Sequence, residues 1–238
     1  MPTGYKTEPV RIPDGSARLD GDLHVPDHAI GLVIFAHGSG SSRFSPRNRH
    51  VAEALESAGC AALLLDLLTR DEEAIDIQTR EYRFDIQRLA RRVVAVADWA
   101  SGQAALRGLN IGYFGASTGA AAALIAAAER PEISAAVVSR GGRPDLAGDA
   151  LARVRAPTLL IVGGDDEPVI ELNKEAKRRM RAVVRLEIIP GATHLFEEPG
   201  ALEQVQRLAA DWFQQYLPGH SWRSGSVDMV DGVAPGEA

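Results

Sequence analysis

Asn110-Ile111-Gly112-Tyr113-Phe114-Gly115-Ala116-Ser117-Thr118-Gly119-Ala120-Ala121-Ala122-Ala123-Leu124-Ile125-Ala126-Ala127-Ala128-Glu129 is the stretch that decides the fold of this chain. Its first part, Asn110–Phe114, predicts a buried strand. Its last part, Thr118–Glu129, predicts a helix with a small-residue face. Between them, Gly115-Ala116-Ser117-Thr118-Gly119 matches G-x-S-x-G in the strand–turn–helix context that gives the pattern meaning. A sharp turn there lifts a serine oxygen clear of the sheet. Glycines two residues either side let strand and helix approach closely. The helix N-terminus turns its N–H groups toward charge that develops on a substrate.

Outward from this stretch, short apolar runs alternate with amphipathic ones. Glu8–Ile12 and Ala17–Val25 read as an edge hairpin around Pro13-Asp14-Gly15. Gly31–Ala36, Cys60–Leu65, Ala135–Val138, Thr158–Val162 and Arg185–Ile189 read as strands. Asn48–Ala58, Phe84–Trp99, Val169–Met180 and Ala201–Leu217 carry helical spacing. Buried strands alternating with helices predict an α/β fold, a doubly wound and mostly parallel sheet with an antiparallel N-terminal hairpin. Residues 1–217 form one domain on this reading, and the Gly-, Ser- and Asp-rich residues 218–238 a disordered tail. The segment between Ser139 and Thr158 is too short for a large cap, and Asp66–Phe84 is long enough only for a modest flap.

If Ser117 is a nucleophile, chain order calls for an acid and then a histidine. Thr158–Val162 runs into Gly163-Gly164-Asp165-Asp166-Glu167-Pro168-Val169, at the sheet end where ligands bind. Asp166 is the preferred acid, beyond the Gly-Gly turn. Asp165 and Glu167 are read as solvent-facing or helix-capping, and Asp145 is the outside alternative. His194 and His220 follow the acid. His194 lies in the loop after Arg185–Ile189 and is the expected base, whereas His220 falls in the tail.

One oxyanion donor is expected at the N–H of Thr118, and the other in His37-Gly38-Ser39-Gly40-Ser41-Ser42, at Ser39 with Gly40 second. His37 is read as structural, and Cys60 as a core residue. Arginines crowd the loops at the same end. Arg43, Arg80, Arg83 and Arg140 could clamp an anionic substrate. The competing and stronger reading pairs several of them with Asp66, Asp71, Glu72, Asp76, Asp85 or Asp145 to hold those loops.

The balance of the 238 residues fits this picture. Hydrophobic residues make up 45% and charged residues 24%, which excludes wholesale disorder. One cysteine excludes an internal disulfide and a thiolate metal cluster. A net charge of −6 argues against nucleic acid as a partner. No apolar run approaches the roughly 20 residues of a membrane span, and the N-terminus has no apolar leader core, so the chain reads as cytoplasmic with no membrane partner. Nothing in the sequence specifies an oligomeric state.

His37-Gly38-Ser39-Gly40, Gly115–Gly119, Gly163–Val169 and Gly191-Ala192-Thr193-His194 together resemble the α/β-hydrolase superfamily, in its dienelactone-hydrolase-like branch. The resemblance covers about Val10 to Leu217. It implies an eight-stranded sheet and hydrolysis of an ester or lactone through an acyl-enzyme, with neither metal nor organic cofactor. The branch's dienelactone hydrolases use a cysteine nucleophile, and serine stands at 117 here. The departure puts dienelactone itself in doubt and favours a general carboxylesterase-type reaction, and the expected partner is a small-molecule ester, lactone or thioester. A thioesterase or acyltransferase on the same residues and a non-catalytic ligand-binding protein are the alternatives. A lidless site with little apolar loop surface is expected to suit small or polar acyl groups.

Overall fold

A computed structural model of the chain describes residues 7–218. The first six residues of the expected domain, His220 and all of the expected tail but Pro218 lie outside the described residues. The elements run β1 (Thr7–Asp14), β2 (Ala17–His24), β3 (Leu32–Ala36), α1 (Pro46–Ser57), β4 (Ala61–Leu65), α2 (Arg70–Thr79), α3 (Ile86–Gly102), β5 (Ile111–Ala116), α4 (Thr118–Glu129), β6 (Ser134–Arg140), β7 (Thr158–Gly163), α5 (Glu167–Arg179), β8 (Val184–Ile189) and α6 (Ala201–Tyr216). Two 3₁₀ segments, Ala104–Leu106 and Pro144–Arg153, complete them.

The strands form one eight-stranded sheet in the order β1-β2-β4-β3-β5-β6-β7-β8. The β1–β2 and β2–β4 pairs are antiparallel, and the rest are parallel. β3 and β4, Leu-Val-Ile-Phe-Ala and Ala-Ala-Leu-Leu-Leu, are buried at every position, as strands covered on both faces must be. On one face α1 and α6 place Leu55, Val205 and Phe213 against Phe35, Phe114 and Val138. On the other, α3 and α4 place Val93 and Leu124 against Ile34, Tyr113 and Val137. Cys60 is buried in the first of these layers, and burial pushes its thiol up to about 12. Among the described residues no helix is long and apolar enough to cross a membrane.

Three local expectations change. The hairpin turn is not centred on Pro13-Asp14-Gly15: Pro13 and Asp14 stay in register with Arg18 and Ala17, and Gly15-Ser16 makes the turn with Gly15 at φ +58°. A two-residue hairpin turn wants positive φ at its first position, which glycine supplies without strain. Second, the segment expected as a flap holds a helix, α2. Its start is a capping box: Thr69 Oγ1 accepts the Glu72 N–H, and Glu72 accepts the Thr69 N–H. Third, β6 does not stop at Val138. It runs on to Arg140 because Ala116 pairs with Arg140 on one side and Ile161 on the other. Arg140 is therefore a strand residue rather than a loop residue.

Candidate active site

β5 delivers Ser117 and α4 begins at Thr118, so the serine sits in the turn between them. Its backbone is at φ +50°, ψ −121°, a region that non-glycine residues occupy only when their surroundings hold them there. The holding bonds are visible. Ser117 N–H donates to the Arg140 carbonyl (3.2 Å), and the Ser117 carbonyl accepts from Ala120 N–H (3.1 Å) and Arg143 N–H (3.0 Å). The flanking glycines are required by close approach. A Cβ at Gly115 would lie 2.4 Å from the Ala120 Cα, and one at Gly119 would lie 2.2 Å from the Ala36 carbonyl oxygen. Both are well inside contact distance, so neither position accepts a side chain without moving α4.

Asp166 and His194 come together from the ends of β7 and β8. His194 Nδ1 lies 2.6 Å from Asp166 Oδ2, with the carboxylate mostly buried and the ring partly exposed. Gly163 permits this. A Cβ there would meet the Ala192 and Thr193 carbonyls at 2.3 and 2.6 Å, so glycine lets the two loops touch. The His194 ring lies over Gly141, its Cε1 3.5 Å from where a Cβ would stand. Gly141 follows Arg140, whose carbonyl holds the Ser117 N–H. The pair thus sits beside the serine turn. Asp165 and Glu167 are exposed, and Asp145 is taken by Arg143 at 2.8 Å.

The loop after β3 is tied down from three sides. The buried His37 bridges it to the end of β4: Nε2 accepts the Leu67 N–H (2.9 Å), and Nδ1 lies 2.8 Å from the Gly38 carbonyl. Burial lowers the His37 pKa and so favours the neutral ring that can accept this bond. Ser39 is expected to offer its N–H to an oxyanion, but in this structure that N–H donates to Thr118 Oγ1 at 3.0 Å. Ser39 Oγ also contacts Thr118 Oγ1 (2.9 Å) and donates to the Arg83 carbonyl (2.9 Å). Gly40, at φ +69°, lies under the Arg83 guanidinium, whose Nη1 would be 3.1 Å from a Cβ there.

The four expected clamp arginines part company. Arg43 is bound to Asp66 through its side chain and its N–H (2.8 Å). Arg83 is held by Asp76, a 1% exposed carboxylate that also accepts the Tyr82 and Arg83 N–H groups. Burial alone would raise the Asp76 pKa, but those hydrogen bonds and the Arg83 charge bring it below its ordinary value. Arg80 is exposed at the end of α2. Arg140 is buried and, among the described residues, has no carboxylate partner.

Beneath α2 and beside the Ser39 loop lies a cavity of about 330 Å³, lined in part by Ser39, Gly40, Glu73, Ile77, Arg80 and Arg83. The loops at this end expose Phe44, Phe84 and Leu195, and α2 exposes Ile77, so the expectation of little apolar loop surface is corrected. Asp76 is one of the carboxylates expected to pair with the loop arginines, and it is the one that holds Arg83. Asn48, which meets Arg140, was not anticipated. The Thr69-x-x-Glu72 pattern could have announced α2.

Comparison with known proteins finds relatives of the chain as a whole. A family model described as the dienelactone hydrolase family matches residues 19–217. A crystal structure of a dienelactone hydrolase from Anabaena variabilis ATCC 29413 is 58% identical and superimposes with a TM-score of 0.88, over 90% of this chain and 99% of that one. A Mycobacterium tuberculosis H37Rv protein with a provisional phosphoribosyl transferase name is 55% identical over 214 residues. The match takes in 90% of this chain but 47% of that protein, so the chain spans about half the length of this curated relative. Est1E from Butyrivibrio proteoclasticus, in a structure with ferulic acid bound, shares the fold at a TM-score of 0.74 and 19% identity, over 87% of this chain and 98% of that one.

Proposed function

Because the chain belongs to the dienelactone hydrolase family, we propose that it hydrolyses small carboxylic esters or lactones through an acyl-enzyme on Ser117, with His194 as base and Asp166 as its orienting partner. The observation that carries this reading is the 2.6 Å Asp166–His194 pair beside a serine held at positive φ. Asp166 fixes Nδ1–H of the imidazole and turns Nε2 toward the serine. Ser117 Oγ attacks the substrate carbonyl as His194 takes its proton. Thr118 N–H and Ser39 N–H receive the oxyanion, the second once the Thr118 hydroxyl turns away from it. His194 then protonates the leaving alcohol. Water, deprotonated by the same histidine, attacks the acyl carbonyl and releases the acid, restoring Ser117.

The ferulic acid of Est1E supports a small acyl group as ligand for this fold. The exposed Phe44, Phe84 and Leu195 around the loops give such a group apolar surface to rest on.

The test is fluorophosphonate labelling with peptide mass spectrometry. Ser117 is expected to carry the label, and His194→Ala to lose it. Ser117→Ala is expected to lower kcat by about 10⁵–10⁶ while the protein stays folded. Turnover retained by that variant ends the proposal.

A further inference from the structure

Arg140 stands at the edge of the site without a role in the cycle above. Its backbone holds the serine turn, since its carbonyl accepts the Ser117 N–H. Its side chain, 8% exposed, runs between the end of β6 and the first turn of α1. There one nitrogen, Nη2, donates a long 3.4 Å bond to Asn48 Oδ1. Nε and Nη1 are buried, with no hydrogen-bond partner among the described residues. The charge that acts on Arg140 from α1 is Arg47, of the same sign, and the Arg47 Nε is also buried and unpartnered. Arg47 spends its Nη1 outward, on the exposed Glu197 at 3.1 Å. The first turn of α1 contains no acidic residue, so the positive end of that helix dipole adds to the two guanidinium groups. Burial first, and Arg47 second, pull the Arg140 pKa down to about 10, which leaves it charged at neutral pH.

Three sources of positive potential therefore converge at Arg140, and among the described residues the one carboxylate paired with any of them is Glu197, on the exposed side of Arg47. A buried charge without a partner is strongly unfavourable, and a fold retains one where something else supplies the counter-charge. We infer that Arg140 and Arg47, at the N-terminal end of α1, form a seat for an oxyanionic group, a carboxylate or a phosphate, carried by the substrate. The fork that such a group accepts in bidentate fashion pairs Nη2 with Nε or with Nη1, and Nη2, which carries two hydrogens and spends one on a long bond, has the second to offer. The place is close to the chemistry, because Gly141, the residue after Arg140, lies under the His194 ring. The inference rests on Ser117 as nucleophile only for the word substrate, and anion binding can be measured without turnover.

The experiment has two arms on the full chain. In the first, Tm is followed against inorganic phosphate and against succinate at constant ionic strength. Both arms of anion are expected to raise the Tm of wild type and of Ser117→Ala, the larger rise naming the preferred group, and neither to raise that of Arg140→Met. In chloride, Arg140→Met is expected to melt about 2–4 °C above wild type, because it removes an uncompensated charge. In the second arm, 4-nitrophenyl acetate is compared with mono-4-nitrophenyl succinate. The ratio of their kcat/KM values is expected to favour the succinyl ester in wild type, to fall about tenfold or more in Arg140→Met, and to recover in part in Arg140→Lys. A lower Tm for Arg140→Met, with both esters slowed alike, would make Arg140 structural and overturn the seat. Anion-induced shifts that persist in Arg140→Met would overturn it too. If neither ester is turned over, the hydrolase reading fails and the Tm arm still decides the seat.

Discussion

Arg92 and Arg140 are both buried, at 4% and 8% exposure, and the chain treats them in opposite ways. Arg92, on α3, is saturated. Its nitrogens reach Glu72 at 2.6 and 2.7 Å, Asp14 at 3.1 Å and the Leu67 carbonyl at 2.7 Å. Burial would lower its pKa, but Glu72 and Asp14 raise it above the ordinary value. Arg140 has one long bond to an amide, and its pKa falls. Each buried ion costs several kcal/mol of desolvation, which only close partners offset. Arg92 has those partners within the fold. It ties α2, α3 and the β1–β2 hairpin into one unit. Arg140 lacks them, beside the serine turn. The same residue type is thus a finished structural joint in one place and an open electrostatic position in the other.

The largest effect should come from breaking the finished joint. Arg92→Met leaves Glu72 and Asp14 without their shared cation, and breaking one partner of a buried pair costs about 3–5 kcal/mol. Chemical denaturation should show that loss with the m-value unchanged. Phosphate should restore none of it, because no free anion replaces a missing cation. If Arg92→Met were as harmless as Arg140→Met, the contrast between the two sites would collapse.

Asp76 gives the next effect, because it is a carboxylate that serves both stability and the site. It is 1% exposed and accepts from the Tyr82 N–H (2.8 Å), the Arg83 N–H (2.9 Å) and Arg83 Nε (2.5 Å). Arg83 in turn carries the carbonyl that receives Ser39 Oγ. Asp76→Asn should cost about 1–3 kcal/mol, since an amide cannot accept all three donors. As a positioning residue, Asp76 should also act on the rate: kcat is expected to fall by about tenfold with KM little changed, because Ser39 is needed only when charge develops. A loss of stability with kcat intact would place Asp76 among the purely structural partners.

How much of this was legible follows from what each feature depends on. The strands, the serine turn and the Asp166 and His194 loops were readable because each is a local pattern: an apolar run, a glycine pair, a loop after a strand. The end of β6 was not readable, because Arg140 is a strand residue only through its neighbours on either side, Ala116 and Ile161. Sequence could list the arginines but not sort them. Arg43 meets Asp66 across 23 residues, and Arg92 meets Asp14 across 78. Partnership at that range belongs to the fold. For the same reason the Thr118 hydroxyl on Ser39 N–H, 79 residues away, had no local signature. α2 was legible and overlooked, since its capping box is a four-residue signal.

Acid offers the finest probe, because it titrates the partner of Arg92 and takes nothing from Arg140. Burial would raise the Glu72 pKa, but the Arg92 hydrogen bonds and the Thr69 N–H bring it from 4.5 down to about 2. A carboxyl whose pKa is lower in the folded state binds fewer protons there than when unfolded. Its contribution is therefore complete above pH 4.5 and disappears as the pH falls toward 2. Stability measured by denaturant at successive pH values should fall across that window in wild type. Arg140→Met should follow the same slope. Arg92→Met should start lower and fall less steeply, because its Glu72 keeps only Arg88 and the Thr69 cap to hold its proton off. Parallel slopes in all three proteins would mean that Glu72 owes its acidity to the Thr69 cap and Arg88, and that Arg92 is less completely paired than its distances imply.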